Sequence, residues 1–84
     1  AHEDIVFVDS QHDPATLKEV VLWDDVIQAF NDALHIRHKA KVVPFLKGAD
    51  FRVLEPRRIA AIPGAVLDVM VEGKPTQEVI TPPN

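Results

Sequence analysis

Two histidines near the middle of the chain come closest to the spacing of a metal site. His35 and His38 are three residues apart, and on a continuous helix both imidazoles would lie on one side, as a metal ion requires. No third ligand is evident near them, and the helix predicted here ends between them. We therefore interpret both as solvated residues that favour a helix C-terminus, and we predict no metal and no cofactor.

Two acidic clusters also contain residue types that take part in catalysis. Asp24 and Asp25 are adjacent carboxylates, but neighbouring positions on a helix do not point together, and acid–base catalysis needs a pocket that perturbs the pKa. Ser10, His12 and Asp13 are the residue types of a nucleophilic triad, but a short turn lacks the rigid positioning and oxyanion donors of such a site. We interpret the first pair as a helix start and the second group as a turn, and we predict no catalytic residue and no enzyme.

Length and composition are those of one small folded domain. The chain has 84 residues, no cysteine, and an apolar share of 46%, so its fold must depend on packing rather than on disulfides or thiolate-bound zinc. Charged residues or prolines interrupt every hydrophobic run before the roughly 20 residues of a membrane span. The acidic start does not resemble a secretory signal. We therefore expect a soluble, monomeric protein that is intracellular, cytoplasmic or nuclear, without membrane contact.

The net charge of −4 results from two segments of opposite sign. Such segregation can steer an acidic partner to one face. Nucleic acid is not an expected partner, because the bases lack interleaved aromatics and the chain as a whole is acidic. Residues 1–36 contain Glu3, Asp4, Asp9, Asp13, Glu19, Asp24, Asp25 and Asp32 against Lys18 alone, whereas residues 37–58 contain Arg37, Lys39, Lys41, Lys47, Arg52, Arg57 and Arg58 against Asp50 and Glu55.

The first half of the chain predicts a hairpin followed by a helix. Residues 5–8 are a β-branched and aromatic run that ends in a cluster of turn formers, and residues 15–22 suit a second strand that pairs back on it, with a bulge near residues 18–19. The pattern then changes to apolar residues at intervals of three and four, which predicts an amphipathic helix over residues 24–35. Its apolar positions are Trp23, Val26, Ile27, Phe30, Ala33 and Leu34.

The second half predicts short strands separated by turns. A third strand at residues 41–46 is interrupted by Pro44, a turn occupies residues 47–50, and a short strand covers residues 51–54. Pro56 opens a single helical turn, and Pro63-Gly64 leads into a last strand at residues 65–71 that alternates between apolar and mixed positions. The domain is therefore predicted to span residues 1–74, and the Pro- and Thr-rich residues 75–84 to be a flexible tail or linker.

This order resembles the ubiquitin-like branch of the β-grasp fold. The resemblance implies an α+β fold with a mixed four- to five-stranded sheet packed on one main helix, and an interior formed beneath Phe30. It also implies no conjugating activity, because the chain continues through Val71-Glu72-Gly73-Lys74 where conjugating members end in Gly-Gly. The residues that resemble the family pattern are Val43, Phe45, Gly48, Leu54, Ile59, Leu67, Val69 and Val71.

The resemblance also indicates where a partner would dock. Ubiquitin's principal patch lies on its third and last strands and at its first hairpin turn. At the matching strand positions this chain has Val42 and Pro44, then Asp68 and Met70, and the turn offers Gln11 and His12. With the neighbouring bases, the candidate partner-binding residues are Val42, Pro44, Lys47, Arg52 and Met70.

Three functions fit this pattern. The favoured one is a non-catalytic protein-interaction module within a larger multidomain protein. A small accessory or regulatory subunit of an enzyme complex is a second hypothesis, and a Ras-association-type domain that binds a GTPase is a third. The third requires basic residues on the second strand and helix, where Lys18 stands alone among Glu19, Asp24, Asp25 and Asp32.

Overall fold

Eight strands and one short helix follow one another along residues 5–83, the part of the chain that the computed structural model describes. The strands form a mixed five-stranded sheet and a separate three-stranded sheet, so the α+β class predicted from the sequence is confirmed. The elements are β1 (Val6–Phe7), β2 (Gln11–Asp13), β3 (Lys18–Leu22), α1 (Trp23–Ala29), β4 (Ala33–His38), β5 (Lys41–Val43), β6 (Arg58–Ala60), β7 (Val66–Val71) and β8 (Gln77–Ile80).

The large sheet has the order β1-β8-β7-β4-β5. Strand β1 runs parallel to β8, and the other neighbours are antiparallel. The predicted alternation of β7 is confirmed, since Leu67 and Val69 are buried while Val66 is exposed and Asp68 is half-buried. One face of this sheet therefore contributes to the core, as period-two side-chain alternation requires.

The small sheet has the order β2-β3-β6 and is antiparallel throughout. One core contains residues from both sheets and the helix, and the expected interior is largely present: Ile59, Leu67 and Val69 are buried, whereas Val71 and Phe30 pack against the core while partly exposed. The buried apolar residues of this core are Val8, Val21, Trp23, Val26, Ile36, Ile59, Leu67, Val69 and Val79.

The helix is shorter than predicted, and the second half of the predicted helix is wrong. Asp24 and Asp25 do lie in the first turn, but the helix ends at Ala29, and a turn at Asn31-Asp32 leads into β4. Asn and Asp favour turns because their side chains hydrogen-bond the nearby backbone. Residues 33–35, predicted as the end of the helix, instead begin β4, an inner strand of the large sheet.

The first predicted hairpin is also wrong in its pairing. Residues 5–8 contribute β1, which pairs with β8, whereas the partner of β3 is β2, from the segment that the sequence assigned to a turn. The β2–β3 register is continuous at Lys18 and Glu19, so the predicted bulge is absent there. A register shift lies instead in β4 between Ala33 and His35, which leaves Leu34 as an extra, exposed residue.

Residues 75–84 were predicted to form a flexible tail, but β8 lies within this segment and between two strands of the large sheet. Val79 and Thr81 are almost completely buried, and the Thr81 carbonyl accepts a hydrogen bond from the Gly64 N–H at 2.8 Å. Because a strand of four residues is too short to show a period, packing rather than pattern determines this strand. Asn84 lies outside the described residues.

Two smaller predictions around the prolines have different outcomes. Pro44 does interrupt its strand, since β5 ends at Val43 and Phe45 makes only an isolated bridge to Ile59. The helical turn predicted after Pro56 is wrong, because Arg58–Ala60 is strand β6. The strand predicted at residues 51–54 is reduced to one bridge, between Val53 and Lys47.

Candidate functional site

Residues 46–54, which lie between β5 and β6 along the chain, form a small hairpin, called here the basic hairpin. Its arms are joined by hydrogen bonds from the Leu54 N–H to the Leu46 carbonyl at 3.0 Å and from the Gly48 N–H to the Arg52 carbonyl at 2.9 Å. The tip closes through a bond from the Phe51 N–H to the Gly48 carbonyl, and the Asp50 carboxylate accepts from the Arg52 N–H. These bonds define the conformation of the tip.

Phe51 stands at the tip of the basic hairpin and is exposed over 84% of its surface. Its φ is +63°, in the left-handed region that bulky residues rarely adopt because Cβ approaches the backbone. An aromatic side chain in this position gains almost nothing from burial within the chain. Such backbone outliers cluster at functional sites. We therefore take Phe51 as the main candidate for a functional residue on this surface.

The base of the basic hairpin is attached to the core. The Leu46 N–H donates to the Arg58 carbonyl of β6 at 2.8 Å. Just before it, the Phe45 ring packs edge-on against Trp23, with centroids 5.0 Å apart and planes at 79°. The Arg57 guanidinium lies 5.2 Å from the centre of the same ring, a cation–π distance. The base of the hairpin is thus attached to β6 and to the aromatic part of the core.

The segment that contains this hairpin is rich in positive charge. Within residues 37–58, Arg37 donates from Nε to His35 Nε2 at 3.2 Å and Arg58 is paired with Asp13. Arg52 approaches Asp50 at 3.7 Å, but both side chains are largely exposed, so this pair contributes little. The exposed bases of the segment are Lys39, Lys41, Lys47, Arg52 and Arg57, against the exposed acids Asp50 and Glu55.

The structure distributes the predicted partner-binding residues over the region of the basic hairpin and the outer face of the large sheet. Lys47 and Arg52 belong to the basic hairpin, and Pro44 is exposed between β5 and the hairpin. Val42 and Met70 lie on the other face of the large sheet from the core, because their partners Arg37 and His35 occupy alternate positions to Ile36 on β4. Val42 is exposed, while Met70 is half-buried and its sulfur accepts a weak contact from the Thr76 hydroxyl at 3.9 Å.

Phe51 is the residue of this surface that the sequence did not single out. It was predicted only as part of a short strand at residues 51–54. The signal that identifies it is the Gly48-Ala49-Asp50 turn directly before it, because a residue that closes a tight turn is often left in solvent.

The outer face of the large sheet contains a short apolar row. Phe7 lies opposite Ile80, and Ile80 lies opposite Val66, across β1, β8 and β7. Phe7 is 66% exposed and Val66 is also exposed. The next row along the same strands is charged, with Glu78 opposite Asp68 and Asp68 opposite Arg37. On this face, the side chains therefore change from apolar to charged over two residues along β7 and β8.

Asp13 is a structural carboxylate and not part of a triad. Its oxygens accept hydrogen bonds from the Ala15 N–H, the Thr16 hydroxyl and the Arg58 guanidinium, at 3.0, 2.9 and 2.9 Å. Burial raises the pKa of Asp13, but these hydrogen bonds and the Arg58 charge outweigh burial, and the net pKa is lowered. His12 instead faces Glu19 across the β2–β3 pair at 3.1 Å.

The two histidines that were weighed as metal ligands do not act together. His35 and His38 are an odd number of residues apart on β4, so their side chains lie on opposite faces of the sheet. Within residues 5–83, no three histidine, aspartate or glutamate side chains are close enough to share one metal ion. The described part of the chain also contains no helix with the length and apolar character needed to cross a bilayer.

No protein-family model, curated protein or solved structure matches this chain. Function is therefore inferred from the exposed surfaces of the domain itself.

Proposed function

We propose that this domain is a non-catalytic protein-interaction module that binds an acidic partner protein through the basic hairpin, with Phe51 as its anchor. The observation that carries the proposal is an 84% exposed phenylalanine held at positive φ on a projection attached to the core. Aromatic residues are enriched among the few positions that dominate binding energy, because they bury a large area with little loss of rotamer entropy.

The charge around Phe51 defines the chemistry of the partner. Lys47 and Arg52 flank the hairpin tip, and Lys39 and Lys41 lie in and beside the turn that joins β4 to β5. Exposed bases around an apolar anchor favour an apolar pocket with carboxylates at its rim, since rim charges accelerate association and oppose wrong partners. Val42, Pro44 and Met70 extend the contact along β5 and the outer face of the large sheet.

The ubiquitin-like relationship belongs to the same proposal. A mixed sheet with one helix packed on it supports a β-grasp-like relationship. The helix is shorter than in the expected layout, and the first predicted hairpin is not formed. Because one scaffold carries many functions, the binding proposal depends on Phe51 and its neighbours and not on the fold.

A photocrosslinking amino acid at position 51 tests the proposal in extracts of the source cell. The matched control position is Leu17, which is also a large apolar residue with positive φ in a turn and is 78% exposed. We expect a defined protein to be captured covalently from position 51 and not from position 17. Equal capture from both positions, or from neither, contradicts the proposal.

The captured protein then permits a quantitative comparison of variants. Phe51→Ala is expected to weaken binding by at least about 30-fold, the loss typical of an anchor residue, while Leu17→Ala leaves the affinity unchanged. Reversing Lys47 and Arg52 to Glu should slow association and reduce its salt dependence, whereas Lys18→Glu on β3 should not. Unchanged circular dichroism verifies that each variant is folded.

A further inference from the structure

The outer edge of β1 lies beside an open groove at the opposite side of the large sheet from β5. The groove has a volume of about 470 Å³ and runs between β1 and α1. Val6 and Phe7 line it on the strand side, and Gln28 and Ala29 on the helix side. Within residues 5–83, strand β1 has one neighbour, β8, and its other edge faces this groove.

The backbone of β1 offers hydrogen bonds toward the groove. The Val8 N–H donates to the Ile80 carbonyl at 2.9 Å and therefore faces β8. Because successive residues of a strand direct their N–H and C=O groups to opposite edges, the N–H and C=O of Phe7 face away from β8. An open edge of this kind is a template for pairing with another extended chain.

The groove is acidic. Asp9 and Asp25 both line it, and no lysine, arginine or histidine does so in the part of the chain that is described. Asp25 has one weak neighbour, the Gln11 amide, which donates at 3.4 Å. Two carboxylates beside Val6 and Phe7 favour an occupant that alternates basic and apolar side chains, and a strand presents such side chains with a period of two.

We propose that this groove binds an extended, basic segment of a partner protein, which adds to β1 as a sixth strand of the large sheet. Backbone bonds to Phe7 supply the pairing, and Asp9 and Asp25 select positive side chains. A second copy of this chain is a poor occupant, because edge-to-edge pairing of two β1 strands would bring four carboxylates together. The surface is separate from the basic hairpin, so this inference does not rest on the function proposed above.

Nuclear magnetic resonance of the ¹⁵N-labelled domain with a synthetic peptide, acetyl-Val-Lys-Val-Lys-Val-amide, tests the inference. We expect amide shifts concentrated at residues 6–9 and 25–29. The same peptide with Glu in place of Lys, and a version whose backbone nitrogens are methylated, should cause none. Asp25→Asn should weaken peptide binding by about threefold, the scale of one exposed charge pair.

Asp24→Asn is the matched control, because Asp24 is the adjacent first-turn carboxylate and does not line the groove. The inference is overturned by equal shifts with the Glu or methylated peptide, by equal loss in both Asp variants, or by no shift up to about 10 mM peptide, beyond which binding is weaker than about −3 kcal/mol. A dimer that forms through β1 in sedimentation would also overturn it. Phe51→Ala should leave the peptide shifts intact, which separates this surface from the hairpin.

Discussion

At the scale of single residues, the pair of Asp13 and Arg58 holds the small sheet together. The two lie on β2 and β6, the outer strands of the sheet, with β3 between them. Their side chains are 5% and 12% exposed, and removing water from two charges is costly. Hydrogen bonds from Ala15 and Thr16 to Asp13, and from Arg58 to the Pro56 carbonyl, offset this cost.

The lowered pKa of Asp13 makes part of the stability dependent on pH. Because the folded-state pKa lies below the unfolded value of about 3.9, this contribution is present above about pH 4 and is lost as the pH falls through the folded pKa. We expect the free energy of unfolding to fall more steeply below about pH 4 in the wild type than in Asp13→Asn. Denaturant titrations at neutral and acidic pH measure both slopes.

Asp50→Asn is the control for this pH prediction. The Asp50 side chain is 64% exposed in its pair with Arg52, so its removal should leave the acid-induced loss of stability as large as in the wild type. Parallel curves for wild type and Asp13→Asn would mean that the Asp13 carboxylate is not the group responsible.

At the scale of elements, the sequence predicted best those features that depend on adjacent residues. The alternation of β7, the acidic start of the helix at Asp24 and the break at Pro44 were all predicted, because each follows from local periodicity or backbone chemistry. The strand β4 was not, because the apolar spacing from Trp23 through Leu34 fits a helix. In the structure, the end of this apolar series lies on a strand instead. The register shift in β4 leaves Leu34 exposed, and Ile36 is the residue of the strand that is buried in the core.

Strand β8 was not predicted from the sequence. It covers one side of β7 and supplies the only described neighbour of β1. Pairing between residues 6–7 and 79–80 is the longest-range contact of the sheet, and no local pattern can specify it. The same holds for the proposed binding surface: Lys47 and Arg52 were predicted from their charge, but the exposure of Phe51 depends on how the basic hairpin closes.

Removal of β8 is therefore expected to unfold the domain. Deletion of residues 75–84 should abolish the cooperative unfolding transition, whereas deletion of residues 83–84 should not, because Pro83 is exposed. Within the strand, Val79→Ala should lower the free energy of unfolding by about 2 kcal/mol, and Glu78→Ala, on the other face, by less than about 0.5 kcal/mol. A stable domain that ends at residue 74 would restore the flexible-tail interpretation.

At the scale of the whole molecule, the two sheets share one interior. Val21 and Ile59 come from the small sheet, and Ile36 and Val69 from the large one, yet all belong to a single buried cluster. In a chain of this size a shared core favours all-or-none unfolding. The small sheet is thus stabilised by the large one and is not an independent unit.

Trp23, the sole tryptophan, reports on this cooperativity because it is 3% exposed beside the small sheet. Its fluorescence and the far-ultraviolet circular dichroism should give the same denaturant midpoint. Ile36→Val in the large sheet should move both midpoints together, with a loss of about 1 kcal/mol. If the circular dichroism transition moved while the fluorescence transition did not, the sheets would be separate folding units.

The parallel pairing of β1 with β8 also has a mechanical consequence. Because the two strands run in the same direction, the chain enters β1 at one end of the sheet and leaves β8 at the other. A pulling force applied through residues 5 and 81 would therefore act along the strands, in shear, and strain the hydrogen bonds between β1 and β8 simultaneously instead of opening them one after another. Loading in shear should therefore require a higher force than opening the same hydrogen bonds in sequence.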